Sequence, residues 1–348
     1  MCTSFTIGDR NGGLVYARTM EFTLDLRSEI MVIPAGTQLN GTDRHGVVGK
    51  GGLAWEATYA VAAANALGLV MAVDGVNECG LVFGALNFPV SAGYLELSDG
   101  EQAGSIASFE VGTYLLTTCA TVHDVRRALE RVPVQGVRLA VYGGKVPPLH
   151  YTVHDADGSS IVIEFTDGKL HVYDNPTSVM TNEPPFPMHL QNLSQYQYVT
   201  NHAPAPIEVN GLRLSASSSG DGVNGLPAGF LATSRFVRAF WFRQFALPFD
   251  KPADGVQVAR HILNQFDIPP GTVMTESGGT GEGGGVAGAE ITQWMTVIDQ
   301  RNAVMYASSY DHPNLFKVDV KRAAAAADGI VFIPLPAMDS IPELLPAA

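Results

Sequence analysis

Cys2 follows the initiating methionine directly, and that position gives one residue two reactive groups. Methionine removal is allowed when the second side chain is small, and it would leave a thiol and a free α-amine together. An unperturbed α-amine titrates near ~7.7–8.0 and a thiol near ~8.5, so the amine can serve as base for the sulfur. The thiolate is an intrinsically strong nucleophile that a neighbouring cation favours. A Met-Cys start also arises by chance, so the dipeptide needs support from the residues around it.

That support comes from local patterning. Residues Cys2 to Ile7 alternate small or polar with apolar side chains, the period of a half-buried strand. Asp9-Arg10-Asn11-Gly12-Gly13 has turn chemistry, and Leu14 to Phe22 reads as the returning strand. Such a hairpin brings Arg18 and Glu21 back towards the level of Cys2. There the cation would favour a thiolate, and the carboxylate could hold an ammonium. The same two charges would also suit a solvated hairpin face. Three more polar residues sit in apolar surroundings: Asn87 after a buried-looking strand, Asn182 in Met180-Thr181-Asn182-Glu183-Pro184, and Arg235 in the first turn of an apolar helix. Turn or cap duty is the ordinary explanation for each Asn. Arg235 opposes the helix macrodipole there, which calls for a compensating carboxylate or substrate.

The chain that must position these groups has 348 residues, 46% apolar and 16% charged, with a net charge of −13. It is long enough for a sizeable core, and no composition break marks a second domain, so 1–348 reads as one domain. Strands are expected at Glu29 to Pro34, Leu67 to Val73 and Leu81 to Phe88. Helices follow over Ala107 to Thr121 and onward to about Arg131, where Thr121 and Asp124 form a capping box. A meander spans Leu139 to Tyr142, His150 to His154, Ser160 to Phe165 and Leu170 to Tyr173. Helices near Ser234 to Ala246 and Gly255 to Phe266 precede strands at Ile291 to Asp299, Ala303 to Tyr310 and Leu315 to Val320. Strands at both ends with paired helices between them predict an α+β fold: a four-layer αββα sandwich of two mostly antiparallel sheets covered by helices.

Several functions are disfavoured by what the sequence contains. An acidic chain with no run of Lys and Arg does not suit nucleic acid. No apolar run approaches the roughly 18 residues of a membrane span. No basic stretch with an apolar core precedes Cys2, so the expected location is cytoplasmic, with a removed leader replaced by Met1 as the alternative. Cys79 and Cys119 lie in apolar stretches as expected core thiols, and no zinc or paired-cysteine motif is present, so no metal or cofactor is expected. Gly279-Thr280-Gly281-Glu282-Gly283-Gly284 matches a dinucleotide pattern but follows no clear strand and opens no helix, and it reads as a loop.

The motifs Cys2-Thr3-Ser4-Phe5, Ala17-Arg18-Thr19-Met20-Glu21, Asp74 to Leu81, Ala85-Leu86-Asn87-Phe88-Pro89, Thr181-Asn182-Glu183-Pro184, Ser234-Arg235-Phe236 and Thr292-Gln293-Trp294, in that order, resemble the choloylglycine hydrolase family. That family includes bile salt hydrolases and penicillin V acylases. The resemblance implies an N-terminal nucleophile hydrolase of linear, non-peptide amides. It implies Cys2 as nucleophile and its α-amine as base, with Arg18 supporting the thiolate. The oxyanion would be met by the Asn182 side chain and the Asn87 backbone N–H, and Arg235 would complete the polar network. Glu21 stands where the family usually has Asp, so its hold on the amine is the least secure transfer. Conjugated bile salts or similar amphipathic acyl amides are the favoured substrates, with penicillin V and acyl-homoserine lactones as alternatives. An inactive β-rich binding relative is the reading from another class. The excursion over residues 183–230 resembles the family's assembly segment and implies a homotetramer.

Overall fold

The computed structural model describes residues 1–98, 100–275 and 288–337. Two antiparallel sheets dominate the described residues. One runs in the order Val179–Met180, Cys2–Gly8, Leu14–Phe22, Ala289–Asp299, Val304–Ser309, His312–Asp319, with Val273–Met274 also pairing to Ala289–Asp299. The other runs Lys169–Asp174, Ser160–Thr166, Leu149–His154, Val82–Asn87, Asp74–Asn77, Val61–Ala64, Glu29–Ile33, Val331–Pro334.

Period-two alternation explains why these strands are apolar on both faces. In the second sheet, Met31, Ile33, Val61, Ala63, Phe83 and Ile163 point to one core, shared with Val111, Leu115 and Val125 of the helices Val111–Thr118 and Val122–Arg131. Ile30, Ala62, Ala64, Val82, Leu86 and Val162 point the other way, into a core shared with the first sheet. The helices Ala232–Phe245 and Pro252–Leu263 pack on the strands Cys2–Gly8 and Leu14–Phe22 from outside. The result is the expected helix–sheet–sheet–helix layering, and a strand buried on both sides needs near-continuous apolar sequence rather than clean alternation.

Some elements differ from expectation. Leu67 to Val73 is not a strand: Leu67 and Gly68 both adopt positive φ, which makes a turn, and the ladder is instead formed by Asp74–Asn77. Val61–Ala64, a run of small residues, takes the neighbouring place. Leu139 to Tyr142 forms a single helical turn over Ala140–Tyr142 rather than a strand. The Ala-rich tail contributes a helix, Val320–Ala326, and an edge strand, Val331–Pro334. The glycine-rich motif at 279–284 lies outside the described residues.

The outer helix Val111–Thr118 approaches the sheet so closely that Gly112 leaves no room for a side chain. A Cβ there would overlap the carbonyl oxygen of Ala72 and the ring of Phe83. Overpacking of this kind is typically destabilising by about 1–3 kcal/mol. Gly112→Ala should lower the urea-unfolding free energy by that amount, although Ala is the better helix former.

Candidate active site

The site is assembled on the hairpin of Cys2–Gly8 and Leu14–Phe22. Its register pairs Cys2 with Met20, Ser4 with Arg18 and Thr6 with Tyr16. Directly opposed residues share a face, so Cys2, Arg18 and Met20 all look into the space between the sheets. Glu21 falls on the opposite face, the side on which the helix Pro252–Leu263 packs against its strand. Arg18 is fully buried, and its Nη2 lies 3.3 Å from Cys2 Sγ.

Arg18 is held from several directions. Nη1 donates to Val73 O at 2.7 Å and faces Asp74 Oδ1 at 3.4 Å, while Nη2 also donates to Ala85 O at 2.5 Å. The Trp294 ring lies 5.4 Å from the guanidinium carbon. Burial pushes the guanidinium down, and the Cys2 sulfur and Asp74 carboxylate more than reverse this, leaving it above its ordinary value. Asp74 is itself buried and accepts from Tyr16 Oη at 2.8 Å and Thr296 Oγ1 at 2.5 Å. Burial pushes its carboxyl up despite Arg18 and those two hydroxyls. Sequence reading overlooked Asp74 as the counter-charge, although it opens one of the quoted motifs.

Asn182 is where the distant segments meet. Cys2 N–H donates to Asn182 Oδ1 at 2.9 Å, and Arg235 Nη2 donates to the same oxygen at 2.7 Å. Two donors on one atom decide the amide's orientation. Asn182 Nδ2 therefore faces the other way and donates to Asn87 O at 2.8 Å. One Nδ2 hydrogen remains. Asn87 is paired with Leu149, and Phe88 N–H donates to Pro148 O. Alternation along an antiparallel ladder then turns the N–H and C=O of Asn87 away from that strand, towards Asn182. Glu183 ties the two segments together, accepting from Val90 N–H, Ser91 N–H and Ser91 Oγ, each at 2.8 Å.

Arg235, in the first turn of its helix, meets neutral oxygens rather than a directly bonded carboxylate. Besides Asn182, it donates to the Cys2 carbonyl, to Thr3 Oγ1 at 2.9 Å and to Phe230 O at 2.9 Å. Burial pushes its guanidinium down, with Glu21 pulling the other way. In this structure the Cys2 nitrogen is held by Asn182 rather than by Glu21. While Met1 is attached, that nitrogen is an amide with a single hydrogen, and Asn182 takes it. The Glu21 backbone instead receives Met1: Glu21 N–H donates to Met1 O at 2.9 Å. The Glu21 carboxylate accepts from Thr292 Oγ1 at 3.3 Å, and its other oxygen is buried without a hydrogen-bond partner. Burial pushes this carboxyl up to about 6, against the chain N-terminus and Arg235. The sequence therefore brings five of its six candidates onto one hydrogen-bonded cluster, with Glu21 on the reverse face of the sheet.

Beside Cys2 opens a narrow cavity of about 50 Å³, walled by Met20, Phe22, Leu26, Met71, Leu139 and Tyr142 among others. Gln293 shapes this wall. It sits at a bulge between Thr292 and Trp294, and its side chain spans the loop 22–26, donating to Phe22 O and Leu24 O and accepting from Leu26 N–H.

Two buried histidines also went unread in the sequence. His150 lies between Glu164 Oε1, at 3.2 Å, and Thr181 O, at 3.0 Å. His189 Nε2 donates to Asn182 O at 2.8 Å, its Nδ1 has no partner, and its ring stacks on Phe236. Both rings thus grip the backbone that carries Asn182. Burial pushes the His189 imidazole down to about 4. The unfolded chain then binds the proton more readily, so this contribution to stability is complete above about pH 6.5 and is lost as pH falls towards 4. His189→Gln should remove up to about 3 kcal/mol of that acid loss, at about 1.4 kcal/mol per pH unit. Urea unfolding of both proteins across the window measures it, and an unchanged pH slope would refute the assignment.

Known proteins align with this arrangement along nearly its whole length. Residues 2–331 match the family model of linear amide C–N hydrolases, the choloylglycine hydrolase family. A bile salt hydrolase/transferase of Clostridium perfringens is 26% identical over 332 residues, covering 92% of this chain and 93% of its own. A penicillin V acylase of Pectobacterium atrosepticum is 25% identical over 349 residues, covering 94% and 83%. Among solved structures, a mutant of the conjugated bile acid hydrolase of Clostridium perfringens superposes with a TM-score of 0.83 at 24% identity, covering 99% of this chain and 100% of that one. A penicillin V acylase of Agrobacterium tumefaciens gives 0.75 at 23% identity, with 97% and 92% covered. The chain is a member of the choloylglycine hydrolase family of linear amide C–N hydrolases.

Proposed function

We propose that this enzyme cleaves its amide through a thioester on Cys2, after removal of whatever precedes that residue. The observation that carries the reading is the convergence on Cys2 of Arg18 at the sulfur and Asn182 at the nitrogen, with Asn87 bonded to Asn182. In the proposed reaction the freed α-amine takes the thiol proton, and the sulfur attacks the substrate carbonyl. The carbonyl oxygen gains negative charge and is met by the remaining Asn182 Nδ2 hydrogen and the Asn87 N–H. Such donors act on charge present only in the transition state and are each worth roughly 3 kcal/mol. Collapse breaks the C–N bond, and the departing nitrogen takes its proton from the Cys2 ammonium. Water, deprotonated by the same amine, then attacks the thioester, releasing the acid and restoring the thiol.

The acyl part enters the cavity beside Cys2. Its walls offer almost only hydrocarbon, with Asn87 and Tyr142 as the polar side chains, which favours an apolar acyl group. Conjugated bile salts are the first class to test, because several relatives 26–28% identical carry that name. Penicillin V is the second, on the penicillin V acylase at 25% identity. Product release from glycocholate, taurocholate and penicillin V, followed by mass spectrometry of the acids, tests the reaction. Cys2→Ser should lose a factor on the order of 10³ or more in kcat while keeping its fold. Intact mass supplies the second test: an active preparation that retained Met1 would refute the free-amine mechanism.

The same reading extends to assembly. The ribbon formed by Ile207–Val209 and Leu212–Leu214 stands out from the body with Ile207 57% and Leu212 62% exposed. A two-stranded ribbon with exposed aliphatic residues is poorly stable by itself and suits burial against another copy. This supports the tetramer that the family resemblance implies. Light scattering after size-exclusion chromatography should give a mass near four chains, and Leu212→Asp should shift it to smaller species.

A further inference from the structure

We infer that His150 and Glu164 share one proton and form a buried clamp that holds the two oxyanion donors in place, which makes them positioning residues for the reaction proposed above. The inference rests on that reading, in which the Asn182 side chain and the Asn87 N–H meet the developing oxyanion. His150 stands on the strand Leu149–His154, whose register sets Leu149 opposite Asn87 and His150 opposite Leu86. On its other side the strand pairs Tyr151 with Ile163, which brings Glu164 beside His150. Leu86 belongs to the core between the sheets, and residues opposed across a ladder share a face. His150 and Glu164 therefore look into that same gap, and both side chains are fully buried.

Three contacts tie the pair to both donor segments. His150 Nε2 bonds Thr181 O at 3.0 Å, immediately before Asn182. Glu164 accepts Phe186 N–H on Oε1 at 3.0 Å and on Oε2 at 3.3 Å, at the start of the helix Phe186–Leu193 that follows Asn182. The imidazole also stacks on Phe88, the residue after Asn87, with ring centroids 4.2 Å apart and planes 11° from parallel. The Asn182 segment is thus held on both flanks and the Asn87 segment on one. Donor counting then requires the proton. Thr181 O can only accept, so Nε2 carries a hydrogen. Nδ1 lies 3.2 Å from Glu164 Oε1. A ring with its single hydrogen on Nε2 and an ionised carboxylate would set two acceptors against each other there. One further proton must lie between them, as imidazolium with carboxylate or as imidazole with carboxylic acid. Unmatched buried acceptors are costly, so the shared proton stiffens the clamp.

Glu164→Gln, Glu164→Asp and Glu164→Leu, each freed of Met1, test this with two reactions of Cys2. Hydrolysis of penicillin V and glycocholate passes through an oxyanion. Alkylation by iodoacetamide displaces iodide from carbon and forms none, so it reports the thiol alone. Glu164→Gln keeps a hydrogen for Nδ1 and an oxygen for Phe186 N–H, and should stay within about threefold of wild type in kcat. Glu164→Leu should lose about 10- to 100-fold in kcat, with KM and the alkylation rate within about twofold. Glu164→Asp draws the carboxylate back by one methylene and should lose a smaller factor. If Glu164→Leu does not fold, Glu164→Asp against Glu164→Gln decides: a slower Asp variant supports the clamp and equal rates overturn it. Alkylation slowed as much as hydrolysis would also overturn it, because the damage would then reach Cys2 itself. A loss in Glu164→Gln as large as in Glu164→Leu would remove the shared proton. Asn182→Leu keeps the two readings apart. If it loses on the order of 10²-fold in kcat while Glu164→Leu loses nothing, the oxyanion reading stands and the clamp falls. If Asn182→Leu turns over like wild type, or if processed wild type hydrolyses neither amide, both fall together.

Discussion

An antiparallel pair of strands offers only two faces, and almost every property of this site follows from how Cys2–Gly8 and Leu14–Phe22 divide their residues between them. Opposed partners share a face, so Arg18 must accompany Cys2 into the gap between the sheets. Glu21, one residue beyond the Met20 partner of Cys2, must go to the other face. A slip of one residue would exchange the two sets and bring Thr19 and Glu21 round to the sulfur. The register is protected because both faces are buried: Phe5, Val15 and Ala17 lie under the helices, while Tyr16 bonds Asp74 across the gap. Packing on both sides therefore does more than stabilise the hairpin. It decides which charge the Cys2 sulfur sees.

Placing a guanidinium at that sulfur has an energetic consequence. A buried cation is costly unless it is paired and hydrogen-bonded. Arg18 has Asp74 and two backbone carbonyls, and Asp74 has Tyr16 and Thr296 on its remaining lone pairs. The carbonyls come from Val73 and Ala85, in the second sheet or immediately before one of its strands. The first sheet thus carries the cation and the second supplies its solvation. Neither layer could hold the charge alone, and the site sits between the sheets for that reason.

Legibility in the sequence followed the range of the interaction. The hairpin could be read because alternation and a glycine turn are local signals, and its length alone brings Arg18 and Glu21 near Cys2. The helices could be read for the same reason, down to the Thr121–Asp124 capping box. Val61–Ala64 could not: a run of one valine and three alanines has little strand propensity, and burial between two layers makes it a strand. Asn87 and Asn182 looked locally like turn residues, and only the ordered set of motifs marked them out. Asp74 and Glu183 lay inside those motifs without being singled out, and His189 and Glu290 left no signal. Their partners are Arg18, Ser91, Asn182 and Met1, between 7 and 289 residues away. The shortest of these pairings crosses a strand-to-helix connection that spacing does not predict.

The Asn182 amide connects these layers because its two ends have opposite polarity. Its oxygen gathers two donors, Cys2 N–H and Arg235, so its nitrogen must point to the Asn87 side. The geometry of the Cys2 nitrogen and that of the proposed oxyanion donor are therefore not independent variables. Rotating the amide to free one would disrupt the other. Restoring force comes from Arg235, which also holds the Cys2 carbonyl and Thr3, and from His189 on the Asn182 carbonyl. A site held in this way pays its ordering cost during folding, leaving little reorganisation for the moment charge develops on a substrate oxygen.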